Sequence, residues 1–187
     1  ITSVKNALEF LKLPVMVAEN SEDLAKASHI ILPGVGSFKE GMKNLEELGF
    51  VSALKKEVLE NKKPLLGICL GMQLLMSEGE EGGIGAGLNF IKGKVSKFKE
   101  IGLRIPHVGW NTVEARKENS LLRENFDFYF VHSYYVDPIN KDAIKATTHY
   151  GIDFPSLVCS DNIYGVQFDP EKSHEAGLKL LENFCKI

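Results

Sequence analysis

The chain has no long hydrophobic run. No stretch approaches the roughly 20 consecutive apolar residues of a membrane-spanning helix, and no secretory leader is recognisable at its start. Cysteine is scarce: Cys69, Cys159 and Cys185 are all there is among 187 residues. An odd number at irregular spacing argues against a disulfide framework, and the absence of a C-x-x-C pair removes the usual zinc signature. We therefore expect no metal and no cofactor, and a reducing cytoplasm as the compartment. Charge of one sign is also lacking. The formal net charge is −3, which gives no electrostatic reason to expect nucleic acid or an anionic membrane as partner. There is no internal repeat, low-complexity tract or linker. The first residue is Ile1 rather than Met, so the natural N-terminus is expected to lie outside the chain.

What is present is a sizeable apolar fraction, 44%, in a chain of ordinary single-domain length. The first half alternates helix and strand. A helix near the start carries Val4, Ala7, Leu8 and Leu11 on one face, capped by Thr2 or Ser3. Strands are expected at Pro14–Val17, His29–Leu32 and Pro64–Ile68. Helices are expected after Ser21, from Ser37 to about Leu48, from Val51 to Glu60 and from Met72 to Ser77. Ser37 and Glu40 form a capping-box pattern. This βα alternation predicts an α/β fold, a doubly wound, mostly parallel sheet with helices on both faces. After the Gly-rich residues 79–87 the pattern changes. Lys94–Phe98, Phe126–Val136, Ala143–Thr148, Leu157–Ser160 and Ile163–Phe168 read as strands, some of them antiparallel. Asp161-Asn162 is a hairpin turn, and Ser173 caps a final helix.

The most specific local feature is Gly67-Ile68-Cys69-Leu70-Gly71, between a strand and a helix. It is the G-x-nucleophile-x-G elbow with Cys in the place of Ser. Glycines permit a tight turn that lifts the side chain off the sheet, and the following helix N-terminus favours a thiolate. The plainer alternative is a small buried apolar cysteine, which suits Cys159 and Cys185 better. A thiolate nucleophile points to acyl transfer, which also needs an oxyanion site. Pro33-Gly34-Val35-Gly36 follows the preceding strand at the same sheet edge and can turn backbone N–H groups toward that oxyanion.

Taken in order, PGVGSF, GICLGMQLL, PHVGWN, FVHSYY and GVQFDPEKS resemble the class I (triad-type) glutamine amidotransferases. Within them the chain is most similar to the glutaminase subunits of imidazole glycerol phosphate synthase, in histidine biosynthesis. The resemblance spans residues 1–187 as one domain. It implies that Cys69 attacks the side-chain amide of glutamine, forms a glutamyl thioester and releases ammonia to a (β/α)8-barrel cyclase partner. It also implies that Gly34, Val35 and Gly36 supply oxyanion and substrate-binding backbone, and that Gln73, His132, Ser133 and Tyr134 line the glutamine pocket. Trp110, Asn111 and Lys172 match positions near the partner interface and the ammonia passage. Related readings are a paralogue that feeds ammonia to a sugar-modifying amidotransferase, and a non-catalytic scaffolding subunit.

The sequence departs from that pattern twice. The family begins with a strand and a Gly/Asn-containing loop ahead of the helix that opens this chain, so the first strand is expected to be missing. Second, the family's His-Pro-Glu is here Asp169-Pro170-Glu171. That histidine takes the thiol proton and the glutamate orients it. A carboxylic acid has a reference pKa of about 3.9 against about 6.5 for histidine, and an ionised Asp169 repels the thiolate and leaves no cation beside it. Glu171 adds a second negative charge. Impaired catalysis by Cys69, Asp169 and Glu171 is the expectation. His132 and His174 are the nearest substitutes by motif, but the family gives His132 no base role, and His174 is expected to face solvent.

Overall fold

The computed structural model describes residues 1–99 and 102–187. Helix α1 (Thr2–Phe10) opens the chain, followed after a 3-10 turn by strand β1 (Ile30–Gly34), helices α2 (Phe38–Glu47) and α3 (Phe50–Leu54), strand β2 (Leu65–Cys69) and helix α4 (Leu70–Leu74). Then come β3 (Glu78–Gly79), β4 (Gly85–Ala86), β5 (Gly93–Lys97), β6 (His107–Ala115), β7 (Phe126–His132), β8 (Tyr134–Pro138), β9 (Ile144–Tyr150), β10 (Ile152–Ser160), β11 (Ile163–Val166) and a last helix, α5 (His174–Phe184). Seven strands form one sheet in the order β1-β2-β11-β10-β9-β6-β7, and β4-β3-β5-β8 form a smaller one.

Alternation along the central strands explains why helices cover both faces. In β2, Leu66 and Ile68 face a core shared with Val4, Leu8, Phe168, Leu181 and Phe184. Leu65 faces the opposite core, with Leu24, Phe38, Met42, Leu54 and Met72. Strand β11 divides in the same way, Tyr164 and Val166 to the first core and Ile163 to the second. A strand buried on both faces reads as a continuous apolar run because each side chain has a core to enter.

Several sequence expectations need correcting. The α/β architecture stands, but the large sheet is mixed rather than mostly parallel: β1–β2 and β2–β11 are parallel, while β11–β10, β10–β9, β9–β6 and β6–β7 are antiparallel. Strand β6 was not foreseen, because Gly109 and Asn111 depress its strand character. The run from Phe126 to Val136 is two strands in two sheets, divided at Ser133. The helix from Val51 to Glu60 becomes α3 followed by a π-helical turn over Lys55–Glu60. Neither Thr2 nor Ser3 caps α1, whose N-cap is Ile1. Ser37 does cap α2, accepting from the Glu40 N–H at 3.4 Å. The two-residue loop Asp161-Asn162 joins β10 to β11, with Ser160 opposite Ile163.

Pro14–Val17 is not a strand in either sheet. A strand exists only through a ladder partner, and between this segment and the outer edge of β1 lies a groove of about 340 Å³. Val15, Met16 and Val17 line one side of it, Ile30, Ile31 and Leu32 the other, and Val4 and Leu8 of α1 close one end. Among the described residues β1 has no neighbour on that edge.

Candidate active site

Cys69 ends β2 with φ 54° and ψ −111°, a combination that strains any residue with a Cβ. The flanking glycines make it possible. A Cβ on Gly67 would lie 2.7 Å from the Gly71 carbonyl, and one on Gly71 only 1.7 Å from the Leu32 carbonyl oxygen. The bend is therefore clamped between α4 and β1 by backbone contacts that no larger residue allows. This lifts the sulfur to a cavity of about 320 Å³.

The cavity gathers most of the residues expected from sequence. Val35, Gly36, Cys69, Gln73, His132, Ser133, Tyr134, Asp169 and Lys172 all line it. Val35 is 91% exposed and Gly36 has φ +98°, so this stretch of backbone is open to a ligand. Gly34 sits one step back, paired with Cys69 in the β1–β2 ladder. Glu171, Trp110 and Asn111 lie outside the lining. Three residues that sequence reasoning passed over also matter. Glu81 and Val131 line the cavity, and the Glu81 carboxylate accepts from the Phe38 N–H at 3.3 Å. Burial holds the Glu81 carboxyl above the usual range. Gln167, fully buried in a polar gap among apolar residues, donates to the Cys69 sulfur at 3.7 Å and accepts from Gln73 at 3.2 Å. A polar side chain buried at the end of an apolar strand was the available signal.

The sulfur is held from two sides, since its S–H also points at the Val131 carbonyl, 3.9 Å away. Protein atoms crowd it, and this desolvation, with the charge of Asp169 next, pushes the thiol up to about 12; the Leu70 N–H pulls it back in part. The thiol is therefore protonated at neutral pH unless something removes its proton.

Asp169 is 7% exposed. Its backbone is fixed between Tyr129 and Ser173: its N–H donates to the Tyr129 carbonyl at 2.9 Å, and its carbonyl accepts from the Ser173 hydroxyl at 2.7 Å. Ser173 also accepts from the Tyr129 N–H at 3.0 Å, so it is a clamp on the corner rather than a side-chain cap of α5. The Asp169 carboxylate pairs with Lys172, Oδ2 to Nζ 2.7 Å. Glu171 has a buried oxygen, Oε2, with no hydrogen-bond partner. Burial first, then the charge of Asp169, holds this carboxyl above its ordinary value.

Neither histidine near the site can act as the base. His132 Nδ1 meets the Tyr134 carbonyl at 2.8 Å, so Nδ1 carries the proton and Nε2 must accept. The donor is His107 Nδ1, 3.0 Å away, which leaves His107 Nε2 to accept from Asn111 at 3.2 Å. Both rings are neutral. Burial pushes His107 down to about 4 and His132 down to about 3. Asn111 also donates to the His149 carbonyl at 2.9 Å, so its amide serves the scaffold. His174, exposed and at φ 49°, stacks on Trp110 with ring centroids 5.1 Å apart.

The strained Cys69 turn, the open Val35-Gly36 backbone beside it and the cavity they share coincide with a match to the family model described as glutamine amidotransferase class-I, over residues 2–187. The chain belongs to the class-I glutamine amidotransferases. It is 50% identical over 191 residues to imidazole glycerol phosphate synthase subunit HisH 1 of Campylobacter jejuni, with all of this chain and 94% of the relative aligned. It is also 50% identical over 190 residues to subunit HisH 2 of Methanococcus maripaludis, with the same coverage. A solved glutamine amidotransferase shares the fold at TM-score 0.78 and 21% identity, over 99% of this chain and 92% of that one. In this amidotransferase the Cys69 elbow opens onto a cavity that Asp169 also lines.

Proposed function

We propose that this chain is a glutaminase that hydrolyses glutamine to glutamate and ammonia, and that it delivers the ammonia to a (β/α)8-barrel cyclase for imidazole glycerol phosphate synthesis in the cytoplasm. The observation that carries the reading is the strained Cys69 elbow opening onto a cavity shared with the Val35-Gly36 backbone, Gln73 and Tyr134. Cys69 attacks the amide carbon, the Val35-Gly36 backbone faces the developing oxyanion, and water cleaves the thioester. Glu81 supplies a negative charge suited to the substrate's α-ammonium group. Asp169 makes proton removal slow, so the activity is lower than a histidine would give.

The partner fits the outer face of β6 and β7. Val108 lies opposite Val131 and Trp110 opposite Tyr129, and Val108, Trp110 and Val131 are 54, 49 and 40% exposed. Val131 also lines the cavity, so a protein covering this apolar face closes over the place where ammonia is released, with Lys172 and Trp110 at its margin.

The test is glutamate release by the intact chain, with and without a barrel cyclase, together with trapping of a glutamyl thioester on Cys69. Stimulation by the cyclase supports the reading. Tight cyclase binding with no thioester on the chain or on its Asp169→His variant defeats it. That outcome favours a non-catalytic scaffolding subunit, for which the thiol at about 12 is the specific support.

A further inference from the structure

We infer that Asp169 and Lys172 act as one unit in place of a cationic base, the carboxylate accepting the Cys69 proton and the ammonium standing as counter-ion to the thiolate. The inference rests on the glutaminase reading and adds a role for Lys172 at the sulfur itself. The sequence suggests that an aspartate leaves no cation beside the thiolate. The fold supplies one. A 3-10 turn over Pro170–Lys172 follows Asp169, closed by the Lys172 N–H on the Asp169 carbonyl at 3.0 Å. Residues three apart eclipse in a 3-10 turn, so the Lys172 side chain folds over the Asp169 carboxylate, Nζ to Oδ2 2.7 Å. Both residues line the cavity that holds Cys69.

Geometry fixes one member and leaves the other mobile. Asp169 is buried and its backbone is clamped by Tyr129 and Ser173. The Lys172 side chain is 47% exposed, so in the proposed step it is the ammonium that moves from carboxylate toward sulfur. Among the described residues, the other charged groups bearing on this corner are Glu171 on the same turn, Glu81 across the cavity and the Ile1 ammonium, which acts on Glu171. Lys172 is the cation that acts on the sulfur, and Cys69 and Lys172 favour each other's charged forms.

The proton accounting balances. At rest the corner holds a thiol, a carboxylate and an ammonium. The S–H turns from the Val131 carbonyl, its partner at rest, toward Asp169; the S–H bond breaks, an O–H bond forms on Asp169, and the electron pair stays on sulfur, giving a thiolate, a carboxylic acid and the same ammonium. Net charge is unchanged, and the ion pair moves from Asp169–Lys172 to Cys69–Lys172. After attack, the leaving nitrogen takes the proton from Asp169 and departs as ammonia. Water then attacks the thioester, gives a proton to Asp169, and the departing sulfur recovers it.

The experiment uses the full chain and two readouts. One is the rate of Cys69 alkylation by iodoacetamide from pH 7 to 10, read on the Cys69 peptide by mass spectrometry. The other is glutamine turnover with a cyclase present. Lys172→Met should slow alkylation about tenfold at pH 8, the effect of one pK unit, while Lys172→Arg stays within about threefold of the unaltered chain. Lys172→Gln replaces the Met variant if that one fails to fold. Asp169→Asn should move the readouts in opposite directions, with faster alkylation because a negative charge is gone and slower turnover because the proton acceptor is gone. A merely structural pair would not split them. Unchanged alkylation in both Lys172→Met and Lys172→Gln overturns the inference, as does an Asp169→Asn chain slowed in both. The expected alkylation pattern with no glutamine turnover in any variant retains the unit and removes the glutaminase reading instead.

Discussion

Replacing Asp169 by histidine should turn a slow glutaminase into a fast one. The carboxylate of Asp169 is, after burial, the strongest influence holding the Cys69 thiol up at about 12. Two like charges about 4 Å apart at an effective dielectric of about 20 repel by roughly 4 kcal/mol. Removing that repulsion lowers the thiol from about 12 by a part of its distance from the ordinary value of 9, because burial, the larger cause, remains; an imidazolium in its place lowers it further. The thiolate fraction near neutral pH then rises about tenfold for each pK unit recovered. A ring N–H also gives the unpartnered Oε2 of Glu171 a donor. The larger side chain has room, because position 169 lines a cavity of about 320 Å³. Steady-state glutamate release by Asp169→His with a cyclase present should therefore increase by about 10² to 10⁴, the range of a well-placed general base. The rise of activity with pH should shift to lower pH. A variant with an unaltered melting temperature and no gain in turnover would refute the electrostatic account.

Other consequences are equally direct. His107 and His132 are neutral in the fold and lowered to about 4 and about 3, so their contribution to stability is complete above their unfolded value of about 6.5 and is lost as pH falls toward 4 and 3. The unfolding free energy from urea titration should drop by up to about 1.4 kcal/mol per pH unit for each ring in that window, and His107→Phe should make the slope shallower. Gln167→Leu leaves Gln73 without one of its two partners; denaturation should show a loss of about 1–3 kcal/mol, and the KM for glutamine should rise. Trp110→Ala removes the large exposed aromatic of the β6–β7 face and should weaken cyclase binding at least tenfold, measured by titration calorimetry, as expected of an aromatic anchor.

How much of this could be read from the chain depended on whether the signal was local. The elbow was legible because Gly67 and Gly71 flank Cys69 within one strand–turn–helix unit, although the contact that requires Gly71 comes from Leu32 of β1. The Asp161-Asn162 hairpin and the Ser37 cap were legible for the same reason. Strand direction was not, since parallel and antiparallel neighbours impose similar apolar runs on a doubly buried strand. That is how β9 and β10 came to sit in an antiparallel order no local pattern announces. Pro14–Val17 has strand composition but no ladder beside it, and composition cannot report a missing neighbour. Most of the pocket residues came from the motif resemblance and fell into place around Cys69. Gln167, and the pairing of Lys172 with Asp169, needed coordinates, because the partners of Gln167 come from β2 and α4 and the ion pair comes from the pitch of a 3-10 turn.

The Tyr134 carbonyl is a junction. It accepts from Gln73 at the cavity wall, 3.3 Å, and from His132, the last link of a series of donors that begins at Asn111. All those N–H bonds point the same way, so none can reverse without turning a ring or adding a proton. An alteration at Asn111, on a strand that never borders the pocket, is therefore felt at the oxygen that orients Gln73.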